Sequence, residues 1–327
     1  MGKDSLVQSY VWRRLLAVIP TLVFASMIVF LVIRIIPGDA VDLIIKNSPF
    51  MENTEEVRSQ IEADLGLDKP IHIQYIQWIS NILFRGDLGK SLMRETSVSN
   101  EIASRLPVTF WLGSLAILFA LVIAIPIGVY SALYQDTLGD HIGRSFAILG
   151  LAIPSFWLGT IVVILPAILW GWSPPTRLIP FSQNPFSFIA VFISPALILG
   201  ASLAAVTMRM TRTMMLEVLR QDYIRTARAK GLREKLVVTR HALRNALIPV
   251  VTLVGLFVPF VIGGTVVLER IFDLPGVGQL LLLGVMDRDY PVITGIFLMI
   301  GIFVIFTNLI VDLSYGLLDP KVRYQKN

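Results

Sequence analysis

Cysteine is absent from this sequence of 327 residues, and histidine occurs only three times. Without cysteine the chain can form no disulfide framework, no zinc–thiolate site and no cysteine nucleophile. His72, His141 and His241 are far apart along the chain and lack the spacing of metal ligands. We therefore expect no metal site and no cofactor, while the absence of cysteine leaves the redox compartment open.

Charged residues are scarce as well: they make up 16 % of the sequence, whereas hydrophobic residues make up 55 %. Soluble domains carry about 45–50 % apolar and about 25 % charged residues, so both departures point toward lipid. Six apolar segments have about 20 residues or more, the length that crosses a hydrocarbon core of about 30 Å. They are residues 15–36, 108–133, 146–170, 188–208, 247–268 and 292–313.

Each of the six segments is predicted to be a helix, because a backbone in hydrocarbon must satisfy its own hydrogen bonds. None has the alternation of a membrane barrel strand, and none has the polar face of a helix in a soluble protein. The first segment follows Arg13 and Arg14 but is longer than the apolar core of a secretory signal, so we expect it to be retained. The expected fold class is all-α and polytopic, with six transmembrane helices.

Prolines recur inside these predicted spans. They are Pro126, Pro154, Pro166, Pro195, Pro249 and Pro259. They either kink the helices along a path that opens and closes, or they reflect the ordinary composition of membrane helices, in which neighbouring groups satisfy the freed carbonyls.

The segment 209–245, between the fourth and fifth predicted spans, indicates the orientation. Its basic residues are Arg209, Arg212, Arg220, Arg225, Arg228, Lys230, Arg233, Lys235, Arg240 and Arg244, against Glu217, Asp222 and Glu234. Basic loops stay in the cytoplasm, and with six spans this places both termini there. The loop 37–107, which is acidic on balance, is then predicted to lie on the opposite, extracytoplasmic side.

A helix is predicted near the middle of that outer loop. Ile71, Tyr75, Trp78, Ile79 and Ile82 fall on one helical face. With its aromatic residues as anchors, the helix could lie flat in the outer membrane interface. Packing against the spans from outside is an equally good alternative, and the sequence leaves the two open.

A short helix is predicted within the basic segment. Asp222 can cap it at the start, and Gly231 can end it in a left-handed turn. This gives a helix over 223–230, a turn, and a second helix over 233–245 that leads into the fifth span. On the short helix Tyr223, Ala227 and Lys230 share one side, and the small Ala227 and Ala229 would allow close approach to another protein. The alternative is a solvated basic loop that only sets the topology.

The sequence DYIRTARAKGL at 222–232 resembles the peptide-branch form of the "EAA" loop of ATP-binding-cassette (ABC) importer permeases. The sequence NALIP at 245–249 is similar to the element that closes this loop. The glutamate of the EAA pattern is absent, because Arg225-Thr226-Ala227 stands at that point. No contact specific to that glutamate can therefore be carried over.

The resemblance extends over nearly the whole chain, to the "B" subunits of dipeptide/oligopeptide permeases. Further similar stretches occur in order at 13–15 (RRL), 36–39 (IPGD), 65–70 (LGLDKP), 86–89 (GDLG), 105–109 (RLPVT), 154–159 (PSFWLG), 269–278 (ERIFDLPGVG) and 288–291 (RDYP). Ala40 departs from the pattern, since proline often follows Pro-Gly-Asp. Each stretch is weak alone, but the ordered set is specific.

The resemblance implies the type I ABC importer permease fold. It also implies a first region, 1–106, with one helix and the outer loop, a permease domain, 107–320, and a cytoplasmic tail, 321–327. The partners it implies are a second permease subunit, two cytoplasmic ATPases that hydrolyse ATP, an extracytoplasmic solute-binding protein and membrane lipid. The chain itself would catalyse no reaction and would lie in the cytoplasmic (inner) membrane of a prokaryote.

The short helix would dock into a groove of an ATPase subunit and transmit its motion. The residues assigned to this coupling are Asp222, Tyr223, Arg225, Thr226, Ala227, Arg228, Ala229 and Gly231. The solute would be a dipeptide, a longer peptide, nickel, glutathione or an oligosaccharide, a choice that the sequence leaves open.

Other functions find little support in the sequence. Gly89-Lys90-Ser91 lacks the earlier glycine of a phosphate-binding loop, since Phe84 stands there. The position of the basic segment at the membrane argues against a nucleic-acid partner. A secondary transporter driven by an ion gradient would want carboxylates inside its spans. The one near a span end, Asp312, is expected at the inner interface. A membrane-embedded enzyme would need a cluster of His, Asp, Glu or Ser, and none is evident.

Overall fold

The computed structural model describes residues 3–35, 41, 45, 54–64 and 67–318. Within this part the regular structure is helical. The helices are α1 (Lys3–Ile35), α2 (Glu55–Asp64), α3 (Ile71–Arg85), α4 (Val98–Leu133), α5 (Leu138–Ala152), α6 (Ser155–Trp170), α7 (Pro185–Leu219), α8 (Asp222–Ala229), α9 (Glu234–Leu236), α10 (Leu243–Ile271), α11 (Val277–Met286) and α12 (Tyr290–Leu318), with a π-helical segment, Val237–Ala242, between α9 and α10. The all-α prediction is confirmed.

In the part of the chain that the structure describes, five helical stretches are long and apolar enough to cross a membrane. They lie in α1, α4, α7, the continuous stretch Glu234–Ile271, and α12. Five of the six predicted spans therefore correspond to single continuous helices. The side chain of Asp312 and the residues 319–327 fall outside the described part of the chain.

The prediction that the third span, 146–170, is one continuous helix is wrong. The chain forms α5 and α6 instead, which are bent by 91° at a break and together make a sixth candidate span. Pro154 causes the break: it has no N–H to continue the helix, and its ring disfavours the helical conformation in the residue before it. Ile153 accordingly has φ −92° and ψ 119°, an extended conformation.

The chain divides into two compact units, and residues 108–274 form the centre of the first. Its core contains Leu112, Ala116, Phe192, Leu199 and Leu203, all almost fully buried. The contacts between α4 and α7 are very close at Gly200, because a Cβ added there would lie 2.7 Å from the carbonyl oxygen of Ala116. Small residues let the two helix backbones approach, as in other membrane bundles.

The second unit contains residues 12–107 and 275–306. In it, α3 packs against α1: the ring of Phe30 lies 5.5 Å from that of Tyr75 and 5.6 Å from that of Trp78. The hydroxyls of Ser26 and Tyr75 are hydrogen-bonded at 2.8 Å. The structure therefore favours packing against a span, the second of the two alternatives for this helix.

The Gly89-Lys90-Ser91 stretch also lies in the second unit, in the loop before α4. The Ser91 hydroxyl donates to the buried carboxylate of Asp289, which also accepts from the backbone N–H of Leu92 at 3.2 Å. These hydrogen bonds attach the loop to the turn that precedes α12, so the stretch has a structural role here.

Candidate functional site

The short helix of the basic segment exists, as α8, but its start differs from the prediction. Gln221 is the residue at the N-cap and makes no side-chain capping hydrogen bond. Asp222 is already the first helical residue, so its predicted role as the cap is wrong. Its carboxylate, at the positive end of the helix dipole, lies 3.4 Å from the guanidinium of Arg225 one turn later. Its backbone carbonyl accepts from the Thr226 hydroxyl at 2.9 Å.

Gly231 ends the helix as predicted. It has φ +74°, the left-handed conformation that glycine adopts without steric cost. Its N–H donates to the carbonyl of Arg228 at 2.9 Å, and the N–H of Leu232 donates to that of Ala227 at 3.4 Å. This pair of bonds is the Schellman motif, which satisfies carbonyls at the end of a helix and turns the chain sharply. The helix Asp222–Ala229 is therefore short, and hydrogen bonds fix the turn that follows it.

The buried side of α8 faces this chain itself. Ile224 is fully buried and Ala227 is 7 % exposed. They belong to a small apolar cluster, which we call the elbow core and whose other members are Ala132, Met215, Val237, Val238, Ala242 and Ala246. The side predicted to be shared by Tyr223, Ala227 and Lys230 is therefore not one exposed face, because Ala227 lies inside the elbow core while the other two are exposed.

Two side-chain contacts hold α8 against the next helical stretch. The Asn245 side-chain amide donates to the Tyr223 hydroxyl at 2.9 Å. The Arg228 guanidinium donates to both carboxylate oxygens of Glu234, at 3.1 Å and 2.6 Å. The Arg228–Glu234 pair lies at the start of this stretch, ahead of its apolar part. Its hydrogen bonding lowers the pKa of the Glu234 carboxyl below its ordinary value.

The second predicted helix, 233–245, begins at Glu234 and continues through α10 into the fifth span. It differs from the prediction in containing the π-helical segment Val237–Ala242. Such segments are rare, occur mostly as single turns inside α-helices, and are frequent at functional sites. Three of its residues belong to the elbow core, so α8 rests directly on this segment.

The outward face of α8 is left with Asp222, Arg225, Thr226 and Ala229, all exposed. Asp222 and Arg225 expose 96 % and 73 % of their side-chain surface. The eight predicted coupling residues therefore divide into this outward face, the flanking Tyr223 and Arg228, the buried Ala227 and the terminating Gly231. The geometry provides a shallow, polar surface on a rigid base.

Two family models match the chain. One, described as the binding-protein-dependent transport system inner membrane component, matches residues 124–324. The other, the N-terminal part of such membrane components, matches residues 7–113. The chain belongs to this permease family. The candidate site just described, α8 with its elbow core, lies within the first match.

Relatives of this permease match over almost their whole length. A glutathione transport system permease protein, GsiC, of Pectobacterium atrosepticum is 41 % identical over 97 % of this chain and 99 % of its own. A protein of Brucella melitensis that is named for a peptide transport system is 40 % identical over 98 % of this chain and 100 % of its own.

Solved structures support the fold of the permease. A chain of the inward-facing MetNI methionine ABC transporter superposes with a TM-score of 0.53 at 16 % identity, covering 66 % of this chain and 95 % of that one. A second crystal form gives a TM-score of 0.52. At this identity the likeness shows the fold alone, and that fold is an ABC importer permease fold.

One ion pair of this permease was missed by the sequence analysis. Asp140, at the start of α5, is fully buried and accepts from Nε and Nη2 of Arg212 on α7, both at 2.9 Å. Arg144 lies 3.6 Å from the same carboxylate. Nothing in the local sequence pattern connects these two residues, which are 72 positions apart.

Among the residues that the structure describes, no group of histidine, cysteine and carboxylate side chains could hold a metal ion. His141 contacts the Arg144 guanidinium at 2.6 Å, a neighbour on the same helix. Buried carboxylates in the first unit are instead hydrogen-bonded to protein groups; the Thr109 hydroxyl, for example, donates to Glu269 at 2.7 Å.

Proposed function

We propose that this permease carries a peptide, or a small peptide-like solute such as glutathione, into the cell. Support comes from relatives about 40 % identical over the whole chain, which are named for peptide and for glutathione transport. The family's name includes dependence on a binding protein. An extracytoplasmic solute-binding protein therefore delivers the solute to the path between this chain and a second permease subunit.

The energy comes from two separate cytoplasmic ATPase subunits, and this chain itself catalyses no reaction. The outward face of α8 is the surface that docks into an ATPase. This face carries one acidic, one basic, one hydroxyl and one methyl side chain, those of Asp222, Arg225, Thr226 and Ala229 respectively. Because Ala229 is small, the helix can seat closely, and the two charges fix its orientation.

The single observation that carries the coupling role is the division of α8 into an outward polar face and a side buried in its own protein. A loop that served only to set topology would need no apolar base. Here Ile224 and Ala227 fix α8 on α7 and on the π-helical segment. Any displacement of the docked face is then passed to the two long helical stretches that enter the membrane.

The proposed topology follows from the charges. The basic segment 209–245 and both termini lie in the cytoplasm, and the loop 37–107 lies outside. The chain comprises 1–106, with the first helix and outer loop, the permease domain 107–320, and a tail, 321–327. The cytoplasmic membrane of a prokaryote is its location.

Uptake by the complete reconstituted assembly tests this function. We expect labelled dipeptide or glutathione to enter proteoliposomes only with ATP and the binding protein, and vanadate to abolish this uptake. An uncoupler should leave it unchanged. Uptake that collapses with an uncoupler but resists vanadate would contradict the proposal and support an ion-driven transporter.

A further inference from the structure

The Asp140–Arg212 ion pair lies close to the elbow core, on which α8 packs. Arg212 is on α7, three residues before Met215, and these positions share one face of a helix. Met215 is fully buried in the elbow core, against Ile224 and Ala227 of α8. The ion pair is thus about one turn of α7 away from the contact between α7 and α8.

On its other side the pair holds α5. The two helices are in close contact beyond it: a Cβ added at Gly143 would lie 3.1 Å from the terminal methyl of Met208. One added at Gly150 would lie 3.1 Å from the carbonyl oxygen of Ala201. The Ser202 hydroxyl donates to the carbonyl of Gly150 at 3.2 Å. From Gly150 to Asp140, α5 therefore lies directly on α7.

Van der Waals contacts between small residues are individually weak and non-directional, so by themselves they resist sliding of two helices along their axes less than directional hydrogen bonds do. A bidentate guanidinium–carboxylate pair does resist it, because both of its hydrogen bonds depend on one planar geometry. Asp140 is fully buried, so solvent screens this pair far less than it screens a surface ion pair. Sliding would break both hydrogen bonds from Arg212 and leave the buried carboxylate with only its neighbours in sequence, Arg144 and the backbone N–H of Asp136, which is costly.

We propose that Asp140 and Arg212 are positioning residues that fasten α5 to α7, so that a displacement of α8 is passed into the bent pair α5–α6. This inference rests on the proposed coupling role of α8. It adds the route by which the displacement of α8 reaches the membrane-spanning helices. The 91° break at Pro154 is the point at which α5 can move with α7 while α6 changes its angle.

The ratio of solute imported to ATP hydrolysed, measured on the reconstituted assembly, tests the route. Asp140→Asn and Arg212→Gln should leave the assembled complex hydrolysing ATP while the ratio falls about fivefold or more, the lower end of typical coupling between distant sites. The charge-reversed double variant, Asp140→Arg with Arg212→Asp, should regain part of the ratio. Glu62→Gln, which removes the Arg58–Glu62 ion pair of α2, is the matched control and should leave it unchanged.

A purely structural role would lower the amount of assembled complex without changing the ratio in the complexes that remain, and that result would overturn the proposal. If the Asn and Gln variants fail to assemble, Arg212→Lys decides, because lysine keeps the charge but lacks the planar fork. We expect this variant to assemble and to have a lowered ratio of solute imported to ATP hydrolysed. An unchanged ratio would contradict the proposal.

Failure of the route and failure of the proposed function are distinguishable in the same assay. Arg225→Glu and Ala229→Trp change only the outward face of α8. If these two lower the ratio and the ion-pair variants do not, only the route is wrong. If the outward-face variants leave the ratio unchanged, the coupling role of α8 itself is wrong.

Discussion

Two alanines of α8 that are two residues apart have opposite environments. Ala227 is 7 % exposed within the elbow core, whereas Ala229 is exposed on the outward face. Which alanine is buried could not be predicted from the sequence, because α8 is too short and too polar for an apolar periodicity to define its inner face. Ile224 is the one strongly apolar residue of α8, and a single residue does not establish a periodicity.

Tryptophan substitutions at these two positions should therefore fail in different ways. Ala227→Trp overpacks the elbow core and should destabilise the purified permease by about 1–3 kcal/mol, seen as a lower Tm in detergent. Ala229→Trp should leave the Tm unchanged and weaken binding of the ATPase subunits. Equal Tm values for both variants would contradict the assignment of the two faces.

The Arg228–Glu234 pair should contribute stability in a pH-dependent way. Because the hydrogen bond from Arg228 lowers the pKa of Glu234, its contribution is complete above the ordinary glutamate value, about 4.3, and is lost as the pH falls through the lower folded-state value. The effect should be small, since the two side chains are 43 % and 56 % exposed.

We expect the Tm of Glu234→Gln to lie slightly below that of the unaltered chain at pH 7, and the difference to shrink as the medium is acidified below the ordinary glutamate pKa. Thermal unfolding in detergent at a series of pH values measures this. A difference that grows on acidification would show that Glu234 is not stabilised in its charged form.

At the scale of elements, most of the spans could be predicted because an apolar run of sufficient length has few alternatives in a membrane protein. The break between α5 and α6 could not. Pro154 was visible in the sequence, but Pro249 and Pro259 lie inside one continuous helix, α10. Whether a proline kinks or ends a helix depends on whether neighbouring elements support the bend, which a single sequence does not contain.

The close crossing of α4 and α7 gives a prediction at this scale. In Gly200→Ala the new methyl group would lie 2.7 Å from the backbone oxygen of Ala116, so one helix has to shift. Overpacking of this kind costs about 1–3 kcal/mol, and the Tm should fall.

Gly263→Ala in α10 is the matched control. A Cβ there meets nothing within 4 Å, and alanine is the better helix former by about 0.8–1.0 kcal/mol in the interior of a helix. This variant should keep or raise the Tm. A loss of stability as large as that of Gly200→Ala would show that the crossing is not the cause.

At the scale of the whole molecule, hydropathy indicates a membrane protein, and the family match places it among importer permeases. The contacts between distant segments, such as Asp140 with Arg212, emerge only in the folded chain. Such pairs unite residues that are far apart in sequence, so no local pattern predicts them.

The absence of cysteine makes one labelling measurement especially direct. With Ala229→Cys as the only thiol, an impermeant maleimide should not label intact cells. It should label inside-out vesicles stripped of the ATPase subunits, and rebinding of those subunits should block it. Phe84→Cys, on the exposed side of α3 in the predicted outer loop, is the control that should react in intact cells. Labelling of Ala229→Cys in intact cells, or equal labelling with and without the ATPase, would contradict a cytoplasmic coupling helix.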